Sequence, residues 1–217
     1  MLTLVIGDKN LSSWSLRPWI LLRHLGLQCT EVRLPLDTPR FRAEIGRWSP
    51  TGRVPVLLDG DIRVWDSLAI CEYANEKAAG AGWPADPAAR ALARSISAEM
   101  HCGFAALRST WPMQAVSRGL QVPLTPQARA DVERIDAIWS DCRSRHGAGG
   151  PWLFGHRYSI ADAMYAPVAL RCITYGAVLS GEAQNYLRHA LEDPHLRDWI
   201  RDAEREVAAE RHPLTHR

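Results

Sequence analysis

Three serines within four residues, Ser12, Ser13 and Ser15, stand between a short apolar run and a helix-like segment. The stretch reads Asn10-Leu11-Ser12-Ser13-Trp14-Ser15-Leu16-Arg17. A hydroxyl placed there can donate a hydrogen bond to a bound thiolate, and a helix N-terminus favours negative charge. The same serines could equally do no more than cap the helix. A second candidate is Ser49-Pro50-Thr51-Gly52-Arg53-Val54-Pro55-Val56-Leu57. Proline cannot donate to a strand ladder, so Pro55 in a strand-like run asks for a reason. A cis Val54–Pro55 bond at a ligand-facing strand start would supply one and leave the Val54 backbone free to pair with a peptide. An ordinary edge-strand proline is the alternative. A third is Trp65-Asp66-Ser67-Leu68-Ala69-Ile70, where a hydroxyl and N–H at a helix start can hold a carboxylate or form a simple cap. A fourth, Tyr158-Ser159-Ile160-Ala161-Asp162, has the S-x-x-D spacing of a capping box and reads as structural.

The elements that must position these residues follow from pattern. Leu2–Ile6 is an apolar run of strand length. The segment from Ser15 to Gly26 reads as a helix capped by Ser15, with Pro18 in its first turn and Gly26 just past its end. Thr30–Leu34 alternates like a strand, which implies a parallel pair with a right-handed crossover. Val54 to Trp65 holds two apolar strands joined at Asp59-Gly60, a hairpin signal. Ser67 then opens a further helix. The order β-α-β-α-β-β-α is that of a thioredoxin-like α/β domain, residues 1–78. Residues 79–87 are rich in Ala, Gly and Pro and read as a linker. Beyond them strand signals vanish, and 88–217 reads as an all-α helical bundle. Ala88–Thr110 is expected to be helical. Thr125-Pro126 opens a helix to about His146, broken by Gly147–Pro151. Ser159, Gly176 and Asp193-Pro194 punctuate further helices.

Composition excludes several classes. Of 217 residues, 47% are hydrophobic and 23% charged, so a packed core forms and wholesale disorder does not. A net charge of +2 with no basic stripe argues against nucleic acid as a partner. No apolar run reaches the roughly 20 residues of a membrane span, so no membrane partner is expected. The first residues have neither the basic nor the apolar part of a signal peptide. Five cysteines without a C-x-x-C pair fit free, mostly buried thiols in a reducing, cytoplasmic setting. No metal-ligand spacing is present.

Taken together, the four segments resemble the cytosolic glutathione transferases in order and spacing, over essentially the whole chain. SSWSLRPWILL resembles their serine-type active-site segment, in particular the zeta-like SSCSWR pattern. SPTGRVPVLL is similar to the family's segment around its cis-proline, WDSLAICEYANE to the segment that holds the γ-glutamyl end of glutathione, and FGHRYSIADAMYAPV to the capping-box helix. The resemblance implies catalytic roles for Ser12 or Ser13 at the glutathione sulfur. Ser12 is favoured because the three serines match without a gap. It implies glutathione binding by Trp14, Arg53, Val54, Pro55, Asp66 and Ser67. Trp14 stands where the zeta-like pattern has Cys, which argues against cysteine-centred redox chemistry there. The second-substrate pocket is expected near Met100, Phe104, Arg108 and Trp111, part of which reads equally as core. The implied activity is a glutathione S-transferase attacking a small apolar electrophile, with glutathione as co-substrate, no further cofactor, and a homodimeric chain. The alternatives are a glutathione-dependent isomerase or peroxidase, or a non-catalytic binding module.

Overall fold

The computed structural model describes residues 1–211. Its first half runs β1 (Leu2–Ile6), α1 (Ser13–His24), β2 (Cys29–Arg33), α2 (Pro39–Trp48), β3 (Val56–Asp59), β4 (Ile62–Trp65) and α3 (Ser67–Lys77). The sheet order is β2-β1-β3-β4, with β1 parallel to β2 and the β3–β4 hairpin antiparallel. This is the thioredoxin-like arrangement, and the predicted strands fall within about a residue of their observed places. Six further helices follow: α4 (Pro87–Cys102), α5 (Ala105–Thr110), α6 (Pro126–His146), α7 (Ile160–Tyr175), α8 (Gly181–Glu192) and α9 (Pro194–Arg211). No helix among the described residues is long and apolar enough to cross a membrane.

Two local readings need correction, the start of α1 and the continuity of the helix over Ala88–Thr110. Helix α1 starts earlier than expected, with Ser12 rather than Ser15 at the N-cap position. The loop ahead of it is already turned, since the Leu11 and Ser12 N–H groups both donate to the Asp8 carbonyl. The first helical bond therefore runs from Leu16 N–H back to Ser12, and Pro18 falls in the second turn. Helix α3 opens at Ser67 as read, behind the Asp66 cap, whose Oδ1 accepts from Leu68 and Ala69 N–H at 2.9 and 3.2 Å. The single helix expected over Ala88–Thr110 is two. A Cβ at Gly103 would lie 2.6 Å from the Glu99 carbonyl oxygen, and Phe104 then takes a left-handed conformation. By contrast α6 begins and ends as read, with Thr125 Oγ1 accepting from Ala128 N–H.

Helix α7 is the axle of the helical half. Every residue but Ile173 is buried, as expected for a helix that is apolar nearly all round. Helices α1 and α4 pack on it from two sides. The S-x-x-D motif anchors its start. Asp162, 1% exposed, accepts from Ser159 N–H (2.9 Å), Ser159 Oγ (2.7 Å), Leu153 N–H (3.0 Å) and Tyr186 Oη (3.1 Å). One side chain thus joins the 150s loop, α7 and α8. Burial pushes its carboxyl up despite these donors.

Helix α9 returns to the first domain. Trp199 Nε1 donates to the Lys9 carbonyl at 2.7 Å, and the Lys9 N–H donates to Glu206 at 2.8 Å. The Lys9 ammonium, nearly buried, pairs with Glu31 (2.8 Å) and Asp202 (2.7 Å) between the Trp19 and Trp199 rings. Burial raises the Glu31 carboxyl, but hydrogen bonds from Lys9, Trp19 and Arg23 outweigh it and hold it below its ordinary range. Arg33 completes the seam with Asp8, Glu206 and Glu210.

Replacing Asp162 by Ala strands four buried donors, each worth on the order of 1–3 kcal/mol when unpaired. Relaxation recovers part of this, so a loss of about 3–5 kcal/mol in chemical denaturation is expected. At roughly 2–4 °C per kcal/mol, the midpoint falls by at least about 6 °C.

Candidate functional site

The carboxyl end of β1, the start of β3 and the turn from β4 into α3 meet on one side of the sheet. There a cleft of about 310 Å³ is lined by Trp14, Thr51, Arg53, Val54, Pro55, Asp66, Ser67 and His101. All six residues assigned from sequence to glutathione lie on it. The Val54–Pro55 bond is cis. Asp66 has a positive φ of 77°, a conformation sparsely populated by non-glycine residues. Its Oδ1 caps α3 while Oδ2 lies 3.1 Å from His101 Nε2. Ser67 is 1% exposed, and its hydroxyl has no partner among the described residues. A buried hydroxyl left so at the first residue of a helix is a ready donor to a carboxylate.

Neither Ser12 nor Ser13 lines the open cleft; both are buried at the start of α1, next to Trp14. Ser12 Oγ lies 2.7 Å from Ser15 Oγ, and Ser15 Oγ accepts the Gly7 N–H at 3.2 Å. Either hydroxyl can donate in the Ser12–Ser15 pair, since an oxygen that accepts the Gly7 N–H keeps a second lone pair. Trp14 sits edge-on to His101 at 5.4 Å, with the guanidinium of Arg17 4.1 Å and that of Arg108 5.3 Å from its ring centre.

The proposed second-substrate residues divide. Met100, Phe104 and Trp111 are all buried in the main core. Trp111 stacks on Tyr175 at 5.2 Å and donates Nε1 to the Val122 carbonyl. The helix break at Gly103 is what turns them off one common face. Arg108 alone reaches the site, against Trp14. Two residues escaped the sequence reading. Thr51 lies within a marked segment and was passed over for its neighbours. His101 comes from α4, and no local spacing joins it to Asp66. A larger cavity of about 640 Å³ lies between the 79–86 segment and Phe154–Ser159, apart from every candidate site residue.

The chain offers no reactive thiol in the cleft. Its five cysteines are free, and burial pushes Cys142 and Cys172 up to about 12. Among the described residues no His, Cys, Asp or Glu groups cluster to hold a metal ion.

Fold and cleft together define a two-domain protein, thioredoxin-like then helical, with its site at the seam. Family models agree. The glutathione S-transferase N-terminal domain matches residues 11–77 and the glutathione S-transferase C-terminal domain residues 113–202. The chain belongs to the glutathione S-transferase family. It is 56% identical over 36 residues to a dichloromethane dehalogenase of Methylorubrum extorquens, a match spanning 17% of this chain and 12% of that protein. It is 27% identical over 161 residues to the maleylacetoacetate isomerase of Rattus norvegicus, covering 73% and 72% of the two chains. A Burkholderia glutathione transferase homolog solved with bound glutathione shares the fold, with a TM-score of 0.69 and 22% identity over 94% of this chain and 98% of that one.

The cap on α3 can be tested without a ligand. Asp66→Ala removes both N–H contacts and is expected to cost about 1–2 kcal/mol in denaturant unfolding, while Asp66→Asn, which still caps, costs less.

Proposed function

We propose that this chain is a glutathione transferase, activating the glutathione thiol for attack on a small electrophile held at the domain seam. The observation that carries the reading is the buried Ser67 hydroxyl, without a partner among the described residues, on a cleft it shares with Trp14, Asp66 and the cis Val54–Pro55 bond. In this reading Ser67 and Asp66 hold the γ-glutamyl end. Val54 pairs with the cysteinyl backbone, Arg53 faces the glycyl carboxylate, and Ser12 donates to the sulfur.

Magnitudes support the mechanism. A thiol of pKa about 8.5 is only a few per cent ionised at neutral pH. Lowering it by about two units takes roughly 2.7 kcal/mol. A hydrogen bond to a charged group contributes about 1.5–3 kcal/mol and a helix N-terminus about 0.3–1. One serine and one helix start are enough.

The rat relative favours a second reading, glutathione-dependent isomerisation of an unsaturated acid, in which the same thiolate adds and departs. Recovery of free glutathione in stoichiometric amount after turnover would mark the isomerase, and its consumption the transferase. The exposed Ile62 and Trp65 of the edge strand β4 fit a homodimer, to be read as a dimer mass in light scattering at micromolar concentration.

Ser12→Ala is expected to raise the pKa of bound glutathione by about a unit or more, read from thiolate absorbance in an ultraviolet titration. A shift with Ser13→Ala alone would transfer the role to Ser13. Ser67→Ala should raise KM for glutathione with little change in kcat, since the group it holds is remote from sulfur. A collapse of kcat at constant KM would refute that assignment.

A further inference from the structure

The carboxylate of Asp66 has one oxygen to spare. Oδ1 accepts the Leu68 and Ala69 N–H groups and holds the start of α3. Oδ2 meets the second domain instead: Nε2 of His101, in the last turn of α4, lies 3.1 Å away. The imidazole is braced by the edge-on Trp14 ring at 5.4 Å, and its Nδ1 is buried without a partner among the described residues. Asp66 and His101 line one cleft with Trp14, Arg53 and Ser67, and Asp66 is the only acid among the lining residues. The γ-glutamyl end of glutathione carries an ammonium as well as a carboxylate. The Ser67 hydroxyl suits the carboxylate. The ammonium needs an anion, and Oδ2 is the acidic oxygen on this cleft that serves no helix cap.

We infer that the glutathione ammonium and a charged His101 compete for Asp66 Oδ2, so that His101 is a positioning residue that admits the peptide when neutral and excludes it when protonated. This rests on the glutathione reading of the cleft. A neutral imidazole can donate its Nε2 proton to one lone pair of Oδ2 and leave the other for the ammonium. A protonated imidazole sets a second positive charge on the same oxygen, and the two cations repel. Histidine changes charge between pH 5 and 8, whereas the cations around it are arginines, which hold theirs across that range. Arg53 faces the cleft from just ahead of β3, and Arg108 on α5 donates Nη1 to the His101 carbonyl at 3.3 Å. Arg17 on α1 is pulled down by burial, then by Arg171 and Arg108, but only to about 9. Asp66 and the C-terminal end of α4 favour the charged ring; the arginines oppose it. Between pH 5 and 8 the imidazole is thus the cation of this group that comes and goes.

The test uses S-methylglutathione, whose sulfur has no proton to lose, so that binding reports on the γ-glutamyl end alone. In calorimetric titrations its Kd is expected to rise about tenfold between about pH 7.5 and about pH 5.5. In His101→Gln, whose amide can still donate to Asp66 but takes up no charge, the rise should shrink to less than about twofold. A second arm needs no variant. The S-methyl peptide with a glutaryl group in place of γ-glutamate lacks the ammonium, and its Kd for the unaltered protein should stay within about twofold over the same range. A rise retained in His101→Gln, an equal rise with the glutaryl peptide, or no rise with S-methylglutathione would each overturn the inference and leave the glutathione reading standing. So would a His101→Gln chain that raises the pKa of bound glutathione while the pH profile of Kd is unchanged, since that gives the imidazole to the sulfur. No binding of S-methylglutathione at any pH overturns the glutathione reading, and the inference with it.

Discussion

A carboxylate cut off from water and satisfied by four donors holds the helical half of this protein in register. Asp162 fixes where α7 begins, where the 150s loop returns and where α8 lies. Because α7 is buried on every side, its position sets that of α1 and α4, which pack on it and carry Ser12, Trp14, Arg17 and His101. The geometry of the cleft is thus inherited from a polar contact that touches no ligand. A capping box is usually a surface device worth a kcal/mol or so; here burial makes each of its bonds costly to lose.

The legible parts of the fold are those where a local stop or start is chemically unambiguous. Helix α6 lies between Thr125-Pro126 and Gly147, and a cap, a first-turn proline and a helix-ending glycine leave little choice. The β3–β4 hairpin is equally plain from Asp59-Gly60. The illegible parts depend on contacts distant in sequence. Ser15 has the type and place of a cap, yet it accepts a bond from Gly7, just past the end of β1, and the cap passes to Ser12. Gly103 looks tolerable inside a helical pattern until the Glu99 carbonyl is seen to close over it. Within the cleft, Val54, Pro55, Asp66 and Ser67 are readable because two contiguous segments carry them. His101 is not, since it comes alone from α4 and no periodicity links it to those segments.

Charge is distributed unevenly between the two seams that join the domains. At the inner face of α9 cations meet acids: Lys9 pairs with Glu31 and Asp202, and Arg33 with Asp8, Glu206 and Glu210. Behind Trp14 cations meet cations. The first seam is closed by its own side chains, whereas in the second Arg17 is buried with no hydrogen-bond partner among the described residues.

The fastening by α9 also has a consequence in time. The loop that leads to the serines is pinned by Trp199 and Glu206, and the Trp199 contact to Lys9 spans 190 positions of the chain. At roughly 5–20 residues per second, a ribosome takes on the order of ten to forty seconds to cover that distance. The thioredoxin-like half emerges and can pair its strands long before then, but the loop ahead of α1 lacks its clasp until α9 is made. A nascent chain thus passes through much of its synthesis with that corner of the first domain still open.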